Sequence, residues 1–94
     1  MRVLIIEDEE KLAKSLQKGL EKNGYAADYL LDGEMGERRI EMNHGDYDVV
    51  VLDLMLPKKN GFEVCRDARA RNITTPILIL TARDAIDWSR RRQA

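Results

Sequence analysis

The chain has 94 residues, of which 44% are hydrophobic and 35% charged, and its formal net charge is -1. This composition excludes a disordered chain and allows one small domain, while the near-neutral charge disfavours a protein that binds nucleic acid over its whole surface. The single cysteine cannot form an internal disulfide, and the apolar runs are too short to span a bilayer, so we expect a cytoplasmic protein without membrane association.

Apolar runs typical of buried strands alternate with helical patterns along the chain. The predicted elements are a strand at Val3–Ile6, a helix at Glu9–Asn23, a strand at Tyr25–Leu31, a weak helix from Asp32 to about Asn43, a strand from Asp48 to about Leu54, a helix from Asn60 to about Arg71 and a strand at Pro76–Thr81. The alternation predicts an α/β fold, in which right-handed crossovers place helices on both faces of an open parallel sheet.

The third predicted helix has the clearest start signal. Asn60 followed three residues later by Glu63 has the form of a capping box, in which each side chain accepts a hydrogen bond from the other residue's backbone N–H. We expect the inner face of this helix to consist of Phe62, Cys65 and Ala68.

Polar side chains stand where three of the predicted strands end. Glu7 and Asp8 follow the first strand, Asp53 ends the third and Thr81 ends the fourth. Ligands of open parallel sheets bind at the carboxyl ends of the strands, so these groups are expected to share one cleft. A Mg²⁺ ion would relieve the repulsion between the carboxylates, and a carboxylate beside it could act as a nucleophile towards phosphorus.

A purely structural interpretation of the first acidic group also fits. Asp8, Glu9 and Glu10 precede or begin a helix, where negative charge interacts favourably with the helix dipole. Asp53 has no helix directly after it, so this interpretation does not extend to it. The joint placement of acidic and hydroxyl groups at three strand ends therefore favours a functional site.

The segments "VLIIEDE", "VVLDLMLPKKNGFEV" and "PILILTARDA" resemble the receiver domain of bacterial two-component response regulators, most closely the subclass with a winged-helix DNA-binding domain. The resemblance implies a flavodoxin-like fold with strand order 2-1-3-4-5. It also implies a phosphoacceptor protein, rather than a turnover enzyme, that takes a phosphoryl group from a sensor histidine kinase with the help of Mg²⁺ and normally controls transcription.

The resemblance assigns a role to each residue of the expected cleft. Asp53 matches the phosphoacceptor and Thr81 the switch hydroxyl. Asp8 and Asp53 match direct metal ligands, as does the backbone carbonyl of Met55, and Glu7 matches an acidic neighbour that binds the metal through water.

The chain departs from the receiver pattern after Thr81. The family has a lysine-proline pair on a fifth strand, whereas Lys58 and Lys59 are the only lysines here beyond Asp53. We therefore expect a receiver domain at residues 1–87 that lacks the fifth strand and fifth helix, and a divergent basic tail at residues 88–94. With no DNA-binding domain in these residues, the chain is not expected to bind DNA directly.

These departures leave alternative functions open. Without the family's lysine, phosphorylation is expected to be slower, and the chain could act only as a dimerisation module or titrate a partner. An uncovered fourth strand would favour self-association through the sheet edge or through exchange of a segment. A phosphatase of the haloacid dehalogenase type ranks low, because Met55 stands where that class has a second aspartate.

Overall fold

The computed structural model describes residues 1–80, which form four strands, three α-helices and one short 3₁₀ helix. The elements in chain order are β1 (Arg2–Ile6), α1 (Glu10–Lys22), β2 (Ala26–Leu30), α2 (Gly33–Asn43), a 3₁₀ helix (His44–Asp46), β3 (Val49–Asp53), α3 (Gly61–Ala70) and β4 (Ile77–Leu80). The four strands and three helices predicted from the sequence in this part of the chain are confirmed, and their described ends agree with the predicted ones to within one residue. The predicted basic tail lies outside the described residues.

The strands form one parallel sheet in the order β2-β1-β3-β4. This is the predicted flavodoxin-like order for the first four strands. Because each parallel connection crosses over the sheet through a helix, the carboxyl ends of all four strands point to the same edge. That edge is the one at which the sequence placed the candidate site.

Helices cover both faces of the sheet, as predicted. On one face, the side chains of Leu4 and Ile6 pack into a core with α2 and α3; on the other, Val3 and Ile5 pack towards Leu16 of α1. Strand side chains alternate between the two faces, so continuous apolar runs are needed to fill both cores. Within residues 1–80, no helix combines the length and apolar character needed to cross a membrane.

The predicted inner face of α3 was partly wrong. Phe62 is 65% exposed, whereas Val64 and Ala68 are buried and Cys65 is half-buried against the core. Val64 and Ala68 are four residues apart and therefore lie on one face of the helix. Phe62 is two positions before Val64, roughly 200° around the helix axis, and so faces away from that core.

Candidate phosphoacceptor site

The register of β1 and β3 places the first two carboxylates of the site side by side. The strands are adjacent and parallel, and Ile6 of β1 is opposite Leu52 of β3. The next residues along the chain are Glu7, directly after β1, and Asp53, the last residue of β3. Each lies at the end of an apolar strand, so the sequence that builds the core also delivers both carboxylates to the same edge of the sheet.

Asp8 completes a cluster of three carboxylates. Oxygen atoms of Glu7, Asp8 and Asp53 all lie within 4.8 Å of one another. Glu7 and Asp53 are only 8% and 6% exposed, while Asp8 is open to solvent. The cluster therefore has a buried base and an open side through which a small ion or phosphoryl donor can approach.

Backbone N–H groups orient the two buried carboxylates. The N–H of Glu9 donates to Oε2 of Glu7 at 2.9 Å, and the N–H of Met55 donates to Oδ1 of Asp53 at 3.1 Å. None of the ion pairs within residues 1–80 involves Glu7, Asp8 or Asp53. The described residues thus hold the carboxylates in place without neutralising their charge.

The helix-dipole interpretation of the first acidic group stays compatible with Glu10, which lies in the first turn of α1, and depends on charge rather than on a capping hydrogen bond. Glu9 is the N-cap residue of α1, yet its side chain makes no capping hydrogen bond. The carboxylate of Glu7 instead accepts the N–H of Glu9 from outside the helix.

Burial changes the acidity of the site. Removal from water, together with the hydrogen-bonded neighbour Asp8 and the charge of Asp53, raises the pKa of the Glu7 carboxyl from 4.5 to about 7. The hydrogen bond from the N–H of Glu9 acts in the opposite direction. Near neutral pH, the cluster is therefore a place where an added cation would be strongly stabilised.

The start of α3 is packed directly against the backbone of Asp53. A Cβ atom added at Gly61 would lie 2.5 Å from the Asp53 carbonyl oxygen and 2.9 Å from the Leu54 Cα. The predicted capping box is present, with Asn60 and Glu63 each accepting the other's backbone N–H. The helix start therefore supports the turn that follows the candidate phosphoacceptor.

The structure brings together Glu7, Asp8 and Asp53, as the sequence predicted, and Met55 follows in the next loop with its side chain 71% exposed. The roles of these residues, including the Met55 carbonyl, stay predictions. Thr81 lies outside the described residues.

Sequence reasoning did not assign a role to Lys59, whose side chain contacts Glu37 of α2 and Asp67 of α3. The partners lie 22 residues before and eight residues after it, so no local spacing pattern marks the contact.

Comparisons with known proteins agree with this geometry. The model of the response regulator receiver domain family matches residues 3–92. The chain belongs to this family. It is 46% identical over 87 residues to the transcriptional regulatory protein QseB of Haemophilus influenzae, a match that covers 93% of this chain and 38% of QseB.

Two solved structures have the same architecture. The Francisella response regulator 1452 receiver domain has a TM-score of 0.82 and 34% identity, with 92% of this chain and 69% of that chain covered. The response regulator TrrA of Thermotoga maritima, solved in complex with Mg²⁺-BeF, has a TM-score of 0.78 and 30% identity, with 92% and 75% covered. The predictions of a receiver domain and a flavodoxin-like fold are thereby confirmed.

Proposed function

We propose that this receiver domain accepts a phosphoryl group on Asp53. The observation that carries the proposal is the cluster of Glu7, Asp8 and Asp53, whose oxygens lie within 4.8 Å of one another at the carboxyl end of the sheet. A buried cluster of like charges without a cation among its described partners is costly for folding, and such a cost is typical of a site that binds a cation or reacts.

The donor set fits Mg²⁺. The ion prefers oxygen ligands and retains several waters, so it needs only one or two carboxylates from the protein. Asp8 and Asp53 would bind it directly together with the Met55 carbonyl, and Glu7 would act through water. Mg²⁺ when bound would draw negative charge from phosphoryl oxygens and so favour attack by a carboxylate. The related TrrA was solved with Mg²⁺-BeF, which supports the assignment.

The hydrogen bond from Met55 distinguishes the two oxygens of the Asp53 carboxylate. Oδ1 accepts the Met55 N–H at 3.1 Å, and we assign Oδ2 as the oxygen that attacks phosphorus. In that step a P–N bond of a phosphohistidine breaks as an O–P bond forms, and the leaving imidazole takes up a proton. The product is an aspartyl phosphate, an activated acyl phosphate.

Thr81 is proposed as the switch hydroxyl that contacts the phosphoryl group. The residue before it, Leu80, is opposite Asp53 in the sheet, and its carbonyl accepts the Leu54 N–H at 2.8 Å. The last described residue of β4 is therefore at the level of the phosphoacceptor, which supports a site role for the residue that follows.

The test is labelling by acetyl phosphate, read as a gain of one phosphoryl group by mass spectrometry. We expect the parent chain to gain the group only with Mg²⁺, and Asp53→Asn to gain none. Asp46→Asn is the matched control, because Asp46 is exposed on the 3₁₀ helix that precedes β3. Equal labelling of Asp53→Asn would contradict the assignment, and an unlabelled parent would favour an interaction module that does not accept phosphate.

We propose a sensor histidine kinase as the phosphoryl donor, a cytoplasmic location, and control of transcription in a longer protein. The chain spans 38% of the length of QseB, a relative that is named as a transcriptional regulatory protein. Incubation with a purified phosphorylated kinase domain, followed by transfer to Asp53, would test the donor.

We also propose that the chain self-associates through β4. Within residues 1–80 this strand pairs with β3 alone, and its apolar side chains are half-buried or, at Leu78, 38% exposed. Light scattering at micromolar concentration should give a mass above that of one chain, and Leu78→Lys should lower it. A monomeric parent would overturn this proposal.

A further inference from the structure

The loop between β3 and α3, residues 54–60, is attached to the start of α2. The Gly33 N–H donates to the Pro57 carbonyl at 3.3 Å, and the Lys58 ammonium lies 3.7 Å from Oδ2 of Asp32. A Cβ atom at position 33 would lie 1.7 Å from the Lys59 carbonyl oxygen, so the two backbones are in direct contact there. This loop also contains Met55, whose carbonyl is a proposed metal ligand.

Lys59 connects this loop to two helices. Its ammonium donates to the carboxylate of Glu37 on α2 and forms an ion pair with Asp67 on α3. The three side chains are only 21%, 23% and 29% exposed, respectively. Charges that are partly withdrawn from water and arranged as a network interact more strongly than an exposed surface pair.

The backbone of the loop has a strained conformation at Lys58, which the contacts of Lys59 help to hold. Lys58 has a φ of 69°, in the left-handed region that lysine rarely adopts. The Lys59 N–H donates to the Pro57 carbonyl at 2.7 Å, which closes a three-residue turn around Lys58. Strained turns persist where surrounding contacts hold them, and they concentrate at functional sites.

The same loop is closed at its other end beside the phosphoacceptor. The Gly61 N–H donates to the Leu54 carbonyl at 2.9 Å, and the Met55 N–H donates to the Asp53 carboxylate at 3.1 Å. A shift of the loop would therefore move both the proposed metal-ligating carbonyl and the donor that orients Asp53.

We infer that Lys59 is a positioning residue for the phosphoacceptor site: by holding loop 54–60 between α2 and α3, it keeps the Met55 backbone aligned with Asp53. The inference rests on the proposed function. The described ion pairs of Lys59 are with Glu37 and Asp67 and not with the three site carboxylates, so Lys59 acts through the loop.

Three variants test this inference. Lys59→Met removes the charge but retains an apolar stem, Lys59→Arg restores a cation that can bridge two carboxylates, and Lys18→Met makes the same charge change at an exposed site on α1. Amide hydrogen exchange by NMR, without metal, reports loop order at Met55 and Gly61. Val50, whose N–H donates to the Pro76 carbonyl, serves as the core reference.

In Lys59→Met we expect exchange at Met55 and Gly61 to accelerate about tenfold, with Val50 unchanged. The Mg²⁺ dissociation constant, measured by calorimetry, should rise by about tenfold, the loss typical when a residue that supports a metal ligand is removed. Lys59→Arg should restore most of both properties, and Lys18→Met should match the parent.

Unchanged protection at Met55 and Gly61, or equal acceleration at all three amides, would overturn the inference, because the second pattern is a general loss of stability. Unchanged Mg²⁺ affinity in Lys59→Met would overturn it while leaving the proposed function intact. A parent chain that binds no Mg²⁺ would instead contradict the proposed function and the metal part of the inference, and amide exchange would then decide whether Lys59 orders the loop.

Discussion

At the carboxyl end of the sheet, Glu7, Asp8 and Asp53 lie within 4.8 Å of one another, and none is in an ion pair within residues 1–80. Near the amino end, by contrast, the carboxylate of Asp28 has both a positive and a hydroxyl partner. Oδ2 of Asp28 accepts from the Arg2 guanidinium at 3.0 Å and from the Tyr47 hydroxyl at 2.8 Å.

The amino-end network extends over four elements. Arg39 of α2 donates to the Tyr47 hydroxyl at 3.0 Å, and the guanidinium of Arg2 lies 5.7 Å from the centre of the Tyr47 ring. The backbone N–H of Arg2 donates to Asp48 at 2.7 Å. These contacts join β1, β2, α2 and the segment before β3. They are therefore expected to stabilise the fold at this end of the sheet.

The pKa values of carboxyl groups at the two ends of the sheet are shifted in opposite directions. Hydrogen bonding by Tyr47, followed by that of Arg2, lowers the pKa of Asp28, whereas burial raises the pKa of Glu7 to about 7. Charge that is compensated within the described fold is typical of a structural network. Uncompensated charge at a sheet edge is what a cation-dependent site requires.

The largest expected effect compares glycines at the two ends. Gly61→Ala should destabilise the chain by about 2 to 3 kcal/mol, since its Cβ would meet the backbone of Asp53 and Leu54 at less than 3.0 Å and something must shift. Gly45→Ala is the control, because a Cβ there meets nothing within 4 Å. Urea unfolding without metal gives both values, and equal values would show that Gly61 is not tightly packed against the backbone of Asp53 and Leu54.

The sequence allowed the acidic site to be predicted because each of its residues follows a recognisable apolar strand. The carboxyl ends of parallel strands lie at one edge of the sheet, so the ends of two strands sufficed to locate Glu7, Asp8 and Asp53. The buried face of α3 was predicted incorrectly at Phe62, because the hydrophobicity of a residue does not by itself show whether it lies on the helix face that packs against the core.

Contacts between side chains that lie far apart in the sequence could not be predicted from strand and helix patterns. Lys59 contacts Glu37 and Asp67, and Tyr47 contacts Asp28, across separations of eight to 22 residues. Charged residues make up 35% of the chain, so many pairings were possible, and the three-dimensional packing of the elements selects among them.

The second-largest expected effect is the pH dependence of folding stability that arises from Glu7. Its folded pKa lies above the value of 4.5 expected when unfolded, so it contributes stability below about pH 4.5 that is lost as the pH rises through about 7. The loss is on the order of 1 to 3 kcal/mol without metal. Glu7→Gln should therefore be more stable than the parent near pH 8 by about 1 to 2 kcal/mol and similar to it near pH 4.5.

Urea unfolding across this pH range, with Glu21→Gln as an exposed control, measures the difference. Mg²⁺ should reduce the advantage of Glu7→Gln at high pH, because the ion stabilises the ionised cluster of the parent. A stability difference that does not change with pH would show that the charge of Glu7 is compensated after all.

The smallest expected effect is the loss of stability when the hydrogen-bond network at the amino end of the sheet is weakened. Tyr47→Phe removes the hydroxyl that donates to Asp28 and accepts from Arg39, and should cost about 1 kcal/mol near neutral pH. The lowered pKa of Asp28 means that its stabilisation is present above the unfolded value of 3.8 and is lost as the pH falls through the folded pKa. The destabilisation caused by Tyr47→Phe should therefore become smaller as the pH falls, whereas the stabilisation gained by Glu7→Gln becomes larger as the pH rises.

Tyr25→Phe, at a residue 38% exposed, should leave stability unchanged at both pH values. If Tyr47→Phe and Glu7→Gln instead changed with pH in the same direction, the contrast between a compensated and an uncompensated end of the sheet would not hold.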